Sequence, residues 1–203
     1  MSETAAIILA AGLSRRMGRD NKLLLPFGGV SMIAHVVQTY RAAIDGDVIV
    51  VTGHDAQRVQ AILEGLDVRI EYNSLFNQGQ ATSVKTGLQA VANAASILIG
   101  LGDQPSLTRT DIKDLVVAHN KTDGTKISIP HNGHQRGNPI LVPESMRNRL
   151  LSDTRHPGCR RFTRAYPEAV QMLDLANPGF FQDVDTPQDY AALQNTLLKE
   201  IAL

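Results

Sequence analysis

The chain has 203 residues, and 20 Lys+Arg are balanced by 20 Asp+Glu. That length suits one domain with a sizeable core, and the balance excludes the overall basic character of a nucleic-acid-binding domain. A single cysteine, Cys159, excludes a disulfide framework and a cysteine-rich zinc site.

The elements follow in chain order. TAAIILA (Thr4–Ala10) is a short apolar run ended by Gly12, the pattern of a buried strand. SMIAHVVQTYRAA (Ser31–Ala43) carries apolar residues at helical spacing, with Ser31 as N-cap. DVIVVTG (Asp47–Gly53) predicts a second buried strand, and DAQRVQAILEG (Asp55–Gly65) a helix capped by an acid and closed by glycine. VRIEYN (Val68–Asn73) and SILIGLGD (Ser96–Asp103) predict two more strands, with a helix over QATSVKTGLQAVA (Gln80–Ala92) between them. Another helix follows at Thr108–His119.

Strand and helix thus alternate through short connections. That order predicts βαβ units and an α/β, Rossmann-like three-layer sandwich: a mostly parallel sheet with helices on both faces. Ligands of such sheets collect at the carboxyl ends of the strands, which singles out Ala11-Gly12, Gly53, Asn73 and Asp103. After about Gly124 the alternation weakens. TKISIP and NPILVP read as strands joined by the polar loop HNGHQRG, and HPGCRRFTRAYPE as an irregular basic segment. A last helix starts at DVDTPQDY, with Thr186 as N-cap and Pro187 in the first turn.

No apolar run reaches the roughly 20 residues that a membrane helix needs. The start MSETAAIILAAG lacks the basic beginning of a signal peptide. A cytoplasmic protein with no membrane or nucleic-acid partner is expected.

The first loop concentrates positive charge: Arg15, Arg16, Arg19 and Lys22, with only Asp20 against them. A Walker A loop would need G-x-x-x-x-G-K-[ST], but Lys22 is not adjacent to Gly18, and the dinucleotide pattern G-x-G-x-x-G is also missing. Two readings remain from the residues alone. One is a solvated basic loop. The other is a loop whose small residues Ala10, Ala11 and Gly12 admit a base or phosphate, while the cations neutralise phosphate charge.

The whole string LAAGLSRRMGRDNKLLLP resembles the L-A-[AG]-G-x-[GS]-x-R-M-G-…-K signature of nucleotidyltransferases that carry a Rossmann-like domain. Within them it is most similar to the molybdenum cofactor cytidylyltransferases, which join CMP from CTP to molybdopterin. The resemblance extends over GQATSVKTGL (Gly79–Leu88), LGDQP, GNPILV and DVDTPQDY, so it spans nearly the full chain. It implies a single nucleotidyltransferase domain over 1–203, with a nucleotide-binding half to about residue 123 and an acceptor-binding half from about 124.

The resemblance also implies roles. Lys22 would contact the α-phosphate region and Arg16 the departing pyrophosphate. Asp103 would bind Mg²⁺, a role its place after a buried strand also suits. Asp185, just before Thr-Pro, would be the second metal ligand, with Asp183 as rival. Leu9, Ala10, Ala11, Gly12, Gly53, Asn73, Gly79 and Ser83 would line the nucleotide; Gly79 and Ser83 open a helix whose unpaired N–H groups favour polar ligands. His131, Asn138 and Arg160 would face the acceptor. In place of the Gly-Asp-x-Gly-Ala-Arg-like element of many relatives, this chain has TRHPGCRRF, which leaves room for another phosphorylated acceptor. Ala11, where guanylyl-transferring relatives read glycine, would narrow the base site toward CTP over GTP. The implied partners are CTP, molybdopterin and a molybdoenzyme or its chaperone. The rival functions are an NAD(P)H-binding reductase on the same fold and a catalytically silent binding protein.

Overall fold

The computed structural model describes residues 3–18 and 21–201; Arg19 and Asp20 of the basic loop lie outside that range. Nine strands and seven α-helices follow in chain order: β1 (Thr4–Ala10), β2 (Pro26–Phe27), β3 (Val30–Ser31), α1 (Met32–Ala43), β4 (Val48–Thr52), α2 (Ala56–Leu63), β5 (Arg69–Tyr72), α3 (Gln80–Ala90), β6 (Ser96–Leu101), α4 (Arg109–Asn120), β7 (Ile127–His131), β8 (Ile140–Pro143), α5 (Glu144–Ser152), α6 (Cys159–Ala165), β9 (Val170–Asp174) and α7 (Pro187–Ile201). Seven strands form one sheet in the order β5-β4-β1-β6-β8-β7-β9, and β2 and β3 make a separate hairpin.

β1 is central because it is apolar on both faces. Ala6, Ile8 and Ala10 pack with α1, α2 and α4 on one side, around Val37, Tyr40, Leu63 and Leu115. Ala5 and Ile7 pack with α3, α5 and α6 on the other, around Val84, Leu88, Leu150 and Phe162. The three-layer α/β sandwich is therefore as the alternation predicts. β5, β4, β1 and β6 are parallel, as are β7 and β9. β8 runs antiparallel to both β6 and β7.

The caps explain where the helices start. Ser31 Oγ accepts from Ala34 N at α1, and Thr108 and Asp111 form a reciprocal capping box at α4. At α7 the Thr186 backbone N–H donates to the Asp189 carboxylate, and Asp189 N–H donates to Thr186 Oγ1, the same device. Asp55 differs from expectation. It precedes α2 at φ 55° and makes no side-chain cap bond; its carboxylate instead accepts from Asn21 and Arg58. The basic segment around Cys159 also differs, because it forms α6. Phe162 and Thr163 are its buried residues, a stripe too short to stand out between Pro157 and Pro167. The short elements β2, β3, α5 and β9 likewise carry too few residues for a period to show.

Tyr40 is 1% exposed, and its hydroxyl has no hydrogen-bond partner among the described residues. Gly100 on β6 makes room for it, since a Cβ there would collide with the hydroxyl. Tyr40→Phe removes an unpaired buried polar group and should raise unfolding stability by about 1 kcal/mol. Gly100→Ala should cost about 1–3 kcal/mol through overpacking, and less in the Tyr40→Phe background. Urea unfolding of the four proteins checks both; a lower midpoint for Tyr40→Phe would mean that the hydroxyl is satisfied in solution.

Candidate active site

The loop after β1 is held by its own polar residues. Asn21 is 4% exposed. Its Oδ1 accepts from Leu23 N and from Ser14 Oγ, while Ser14 Oγ accepts from Lys22 N. Ser14 adopts φ 47° to make this possible, and Met17 and Leu23 are buried beneath the loop. The outcome is that the Lys22 backbone is fixed and its side chain points across the ends of β1 and β6.

Asp103 meets it there. Gly102 N–H donates to Leu9 O at 3.0 Å, and a Cβ at Gly102 would lie 2.9 Å from Ile33 Cδ1. The glycine lets the chain leave β6 close to β1 without displacing Ile33. From the far end of the sequence, Val184 N–H donates to Asp103 O at 2.9 Å and brings Asp185 alongside. Lys22 Nζ then pairs with Asp103 Oδ2 and with Asp185 Oδ1, the second at 2.9 Å. Arg16 completes the group through Asp185 Oδ2 at 2.8 Å.

Burial alone would lower the Lys22 pKa, but the carboxylates of Asp103 and Asp185 outweigh it and hold the ammonium above its usual value. Asp185 is pushed up by burial and down, more strongly, by Lys22 and Arg16, so its carboxyl lies below the usual range. Asp183 goes the other way. Burial and then the charges of Asp103 and Asp185 raise it to about 6, although Gln104 Nε2 donates to its Oδ1 at 2.8 Å. Lys22, Arg16, Asp103 and Asp185 are thus joined by ion pairs, and Asp183 beside them accepts from Gln104.

Asp103 Oδ1 is buried and has no partner among the described residues. No group of three or more His, Cys, Asp or Glu side chains among them is arranged to hold a metal ion by itself. Both facts suit Mg²⁺, which takes one or two carboxylates and completes its shell with substrate phosphates and water. Asp103 and Asp185 are the residues that would hold it.

The remaining sequence candidates divide by strand order. Leu9, Ala10, Ala11 and Gly12 end β1, Gly53 ends β4 and Asn73 ends β5, all on one side of Asp103. Gly53 is covered: a Cβ there would lie 2.5 Å from Phe76 Cβ and 2.8 Å from Ala11 Cβ. The Ala11 methyl therefore packs toward Gly53 and Phe76, and Ala11 is only 7% exposed. Asn73 and Ser83 are buried and joined to each other, with Asn73 Nδ2 donating to Ser83 Oγ at 2.9 Å and to Thr82 Oγ1 at 2.8 Å. Asn73 Oδ1 accepts from Leu75 N, so the pair shapes the loop that carries Phe76 and Gly79. His131 ends β7 and Asn138 precedes β8, at the same end of the sheet but beyond β6. Arg160 is exposed on α6, whose start packs on the start of α3: a Cβ at Gly158 would lie 2.9 Å from Ala81 Cβ.

Sequence reasoning passed over Asn21, Ser14 and Phe76. Asn21 had a signal, an Asn before a short apolar run, where its side chain can hold the following N–H groups. Phe76 had none, because one aromatic in a polar loop reads as surface.

Fold and sequence string together define the class, an α/β nucleotidyltransferase. The chain belongs to the MobA-like NTP transferase domain family, whose model matches residues 6–170. It is similar to the nicotine blue oxidoreductase of Paenarthrobacter nicotinovorans, with 30% identity over 187 residues, 89% of this chain and 91% of that one. Among solved structures it is similar to a nucleotidyl transferase from Methanothermobacter, with a TM-score of 0.85, 25% identity and coverage of 98% and 99% of the two chains. It shares its fold with molybdopterin-guanine dinucleotide biosynthesis protein A from Archaeoglobus fulgidus, at a TM-score of 0.70, 16% identity and coverage of 96% and 99%. No helix among the described residues is long and apolar enough to cross a membrane.

Asp183 gives a pH test. Its folded pKa of about 6 lies above the ordinary carboxylate value, so the folded state binds its proton more tightly than the unfolded chain. The group therefore costs stability above about pH 6, and that cost disappears as pH falls toward 4. Asp183→Asn, which keeps an acceptor for Gln104, should raise the unfolding midpoint at pH 8 and match wild type near pH 4. An equal shift at both pH values would show that the charge is not the cause.

Proposed function

We propose that the protein is a Mg²⁺-dependent cytidylyltransferase that joins CMP from CTP to molybdopterin and releases pyrophosphate. The observation that carries this reading is the Lys22 ammonium held between Asp103 and Asp185 beside Arg16, at the carboxyl ends of the two central strands. Nucleotidyl transfer brings an anionic acceptor against an anionic α-phosphate, so its barrier is largely charge. When bound, Mg²⁺ supplies positive charge at the reacting phosphates. Lys22 is placed to turn onto the α-phosphate, and Arg16, an exposed side chain, onto the departing pyrophosphate. The acceptor phosphate is already ionised near neutral pH, so no side chain need take its proton.

Strand order supports a division of labour. The base and ribose would lie over the ends of β1, β4 and β5, against Leu9–Gly12, the Gly53–Phe76 contact and the loop at Gly79. Asn73 and Ser83 would set that loop's shape. The acceptor would lie across Asp103, toward His131, Asn138 and Arg160. The choice of CTP rests on the string Leu9-Ala10-Ala11-Gly12, with the Ala11 methyl acting through Phe76 and Gly53. One methyl in a pocket discriminates by only about 1–3 kcal/mol, so backbone groups must supply the rest. Molybdopterin rests on the resemblance, and a molybdoenzyme or its chaperone is the partner that would receive the product.

A second reading has its own support. The oxidoreductase relative aligns over most of both chains, so a nucleotide-dependent hydride transfer is the rival. An ammonium between two carboxylates has no evident part in moving a hydride, whereas phosphate transfer uses all three groups.

Pyrophosphate release from CTP, GTP, ATP and UTP with Mg²⁺ and molybdopterin, beside NADPH oxidation, separates the two. Release with CTP above GTP is expected. NADPH consumption with no pyrophosphate would overturn the transferase reading. Lys22→Ala and Asp103→Ala should each lower turnover by about 10²-fold or more, and a near-wild-type rate in either would remove that residue from the chemistry.

A further inference from the structure

We propose that Lys22 is the internal cation that keeps divalent metal off Asp103 and Asp185 until a polyphosphate draws it away. The proposal rests on the assignment of these two aspartates as the metal pair. It adds an order of events at that site: nucleotide and metal enter together, and metal alone is refused.

The oxygens of the pair are largely taken. Asp185 gives Oδ1 to Lys22 and Oδ2 to Arg16. Asp103 gives Oδ2 to Lys22, and its Oδ1 is buried with no partner among the described residues. The Lys22 side chain is 11% exposed, so water screens its charge poorly. A divalent cation arriving alone meets that ammonium in contact with both ligands. To bind, it must displace Lys22 from two carboxylates and leave a buried ammonium without a counter-charge, which is strongly unfavourable.

A triphosphate changes the balance because it offers the displaced cations new anionic partners. Arg16 is free to follow, since its side chain is 67% exposed. The Lys22 backbone need not move, being tied through Asn21 and Ser14; only its long side chain swings. The carboxylates are then released as the phosphates arrive. Each ligand thereby raises the affinity of the other by the same factor. Asp183 gives its Oδ1 to Gln104 Nε2.

The test is a titration of the full-length protein with Mn²⁺, followed by the electron paramagnetic resonance of the free ion, with no nucleotide present. Wild type should bind weakly. Lys22→Met should bind at least about tenfold more tightly, within the range of ordinary site–site coupling. Adding Asp103→Asn to Lys22→Met should return binding to the weak level. Arg16→Ala changes an exposed side chain and should shift affinity in the same direction by less; it decides the matter if Lys22→Met fails to fold. Wild-type affinity equal to that of Lys22→Met, or no gain in either single variant, overturns the proposal. Tighter Mn²⁺ binding by Lys22→Met in a protein that releases pyrophosphate from no nucleotide would leave the lysine gate standing and remove the transferase reading. Pyrophosphate release with unchanged Mn²⁺ affinity would remove the gate alone.

Discussion

One ammonium ties the two ends of this chain together. Lys22 lies in the first loop and Asp185 in the turn before the last helix, 163 residues apart, yet they meet at 2.9 Å. The contact depends on β1 and β6 lying side by side and on the Val184–Asp103 hydrogen bond that brings the C-terminal turn inward. Each of these is a property of the fold, and each has its effect at a single side chain. Three acids so close together would repel one another without it. Burial first, and the charges of Asp103 and Asp185 second, raise the pKa of Asp183.

Much of this was legible in the sequence because it is carried by long, regular signals. The apolar runs at Thr4–Ala10 and Ser96–Asp103 are long enough to mark central strands, and the caps at Ser31 and Thr186 fall where helices start. Of the candidate residues, Asp103 stood out by its place directly after a buried strand, whereas Lys22, Arg16 and Asp185 stood out through the resemblance of their motifs to the nucleotidyltransferase signature. What stayed hidden was made by tertiary contact. Asp55 looks like a helix cap, but Asn21 and Arg58 compete for its carboxylate. That Asn73 and Ser83 would be hydrogen-bonded to each other was likewise not legible, because they lie on different elements. The α6 helix is seven residues long, below the length at which a period can be recognised.

The family relationship and the geometry constrain function at different depths. The family places the chain among nucleotide-handling domains, while relatives of full-length similarity do different chemistry. What separates such activities is local: whether the groups at the strand ends neutralise phosphate or orient a redox ring. Here two cations and two carboxylates share one small volume. Such an arrangement is costly to keep in a folded protein unless charge is what the site has to manage.

The reversed strand β8 has a consequence of another kind. Because it runs against β6 and β7, β8 starts at the end of the sheet where both of those strands finish, and the loop 132–139 opens at the same end as Asp103. Descendants of one ancestral gene could therefore rewrite that loop, in length and in residues, while β1, β4 and β6 kept their register. Divergence among proteins on this scaffold should therefore concentrate in the segment 132–139 rather than in the strands that flank it.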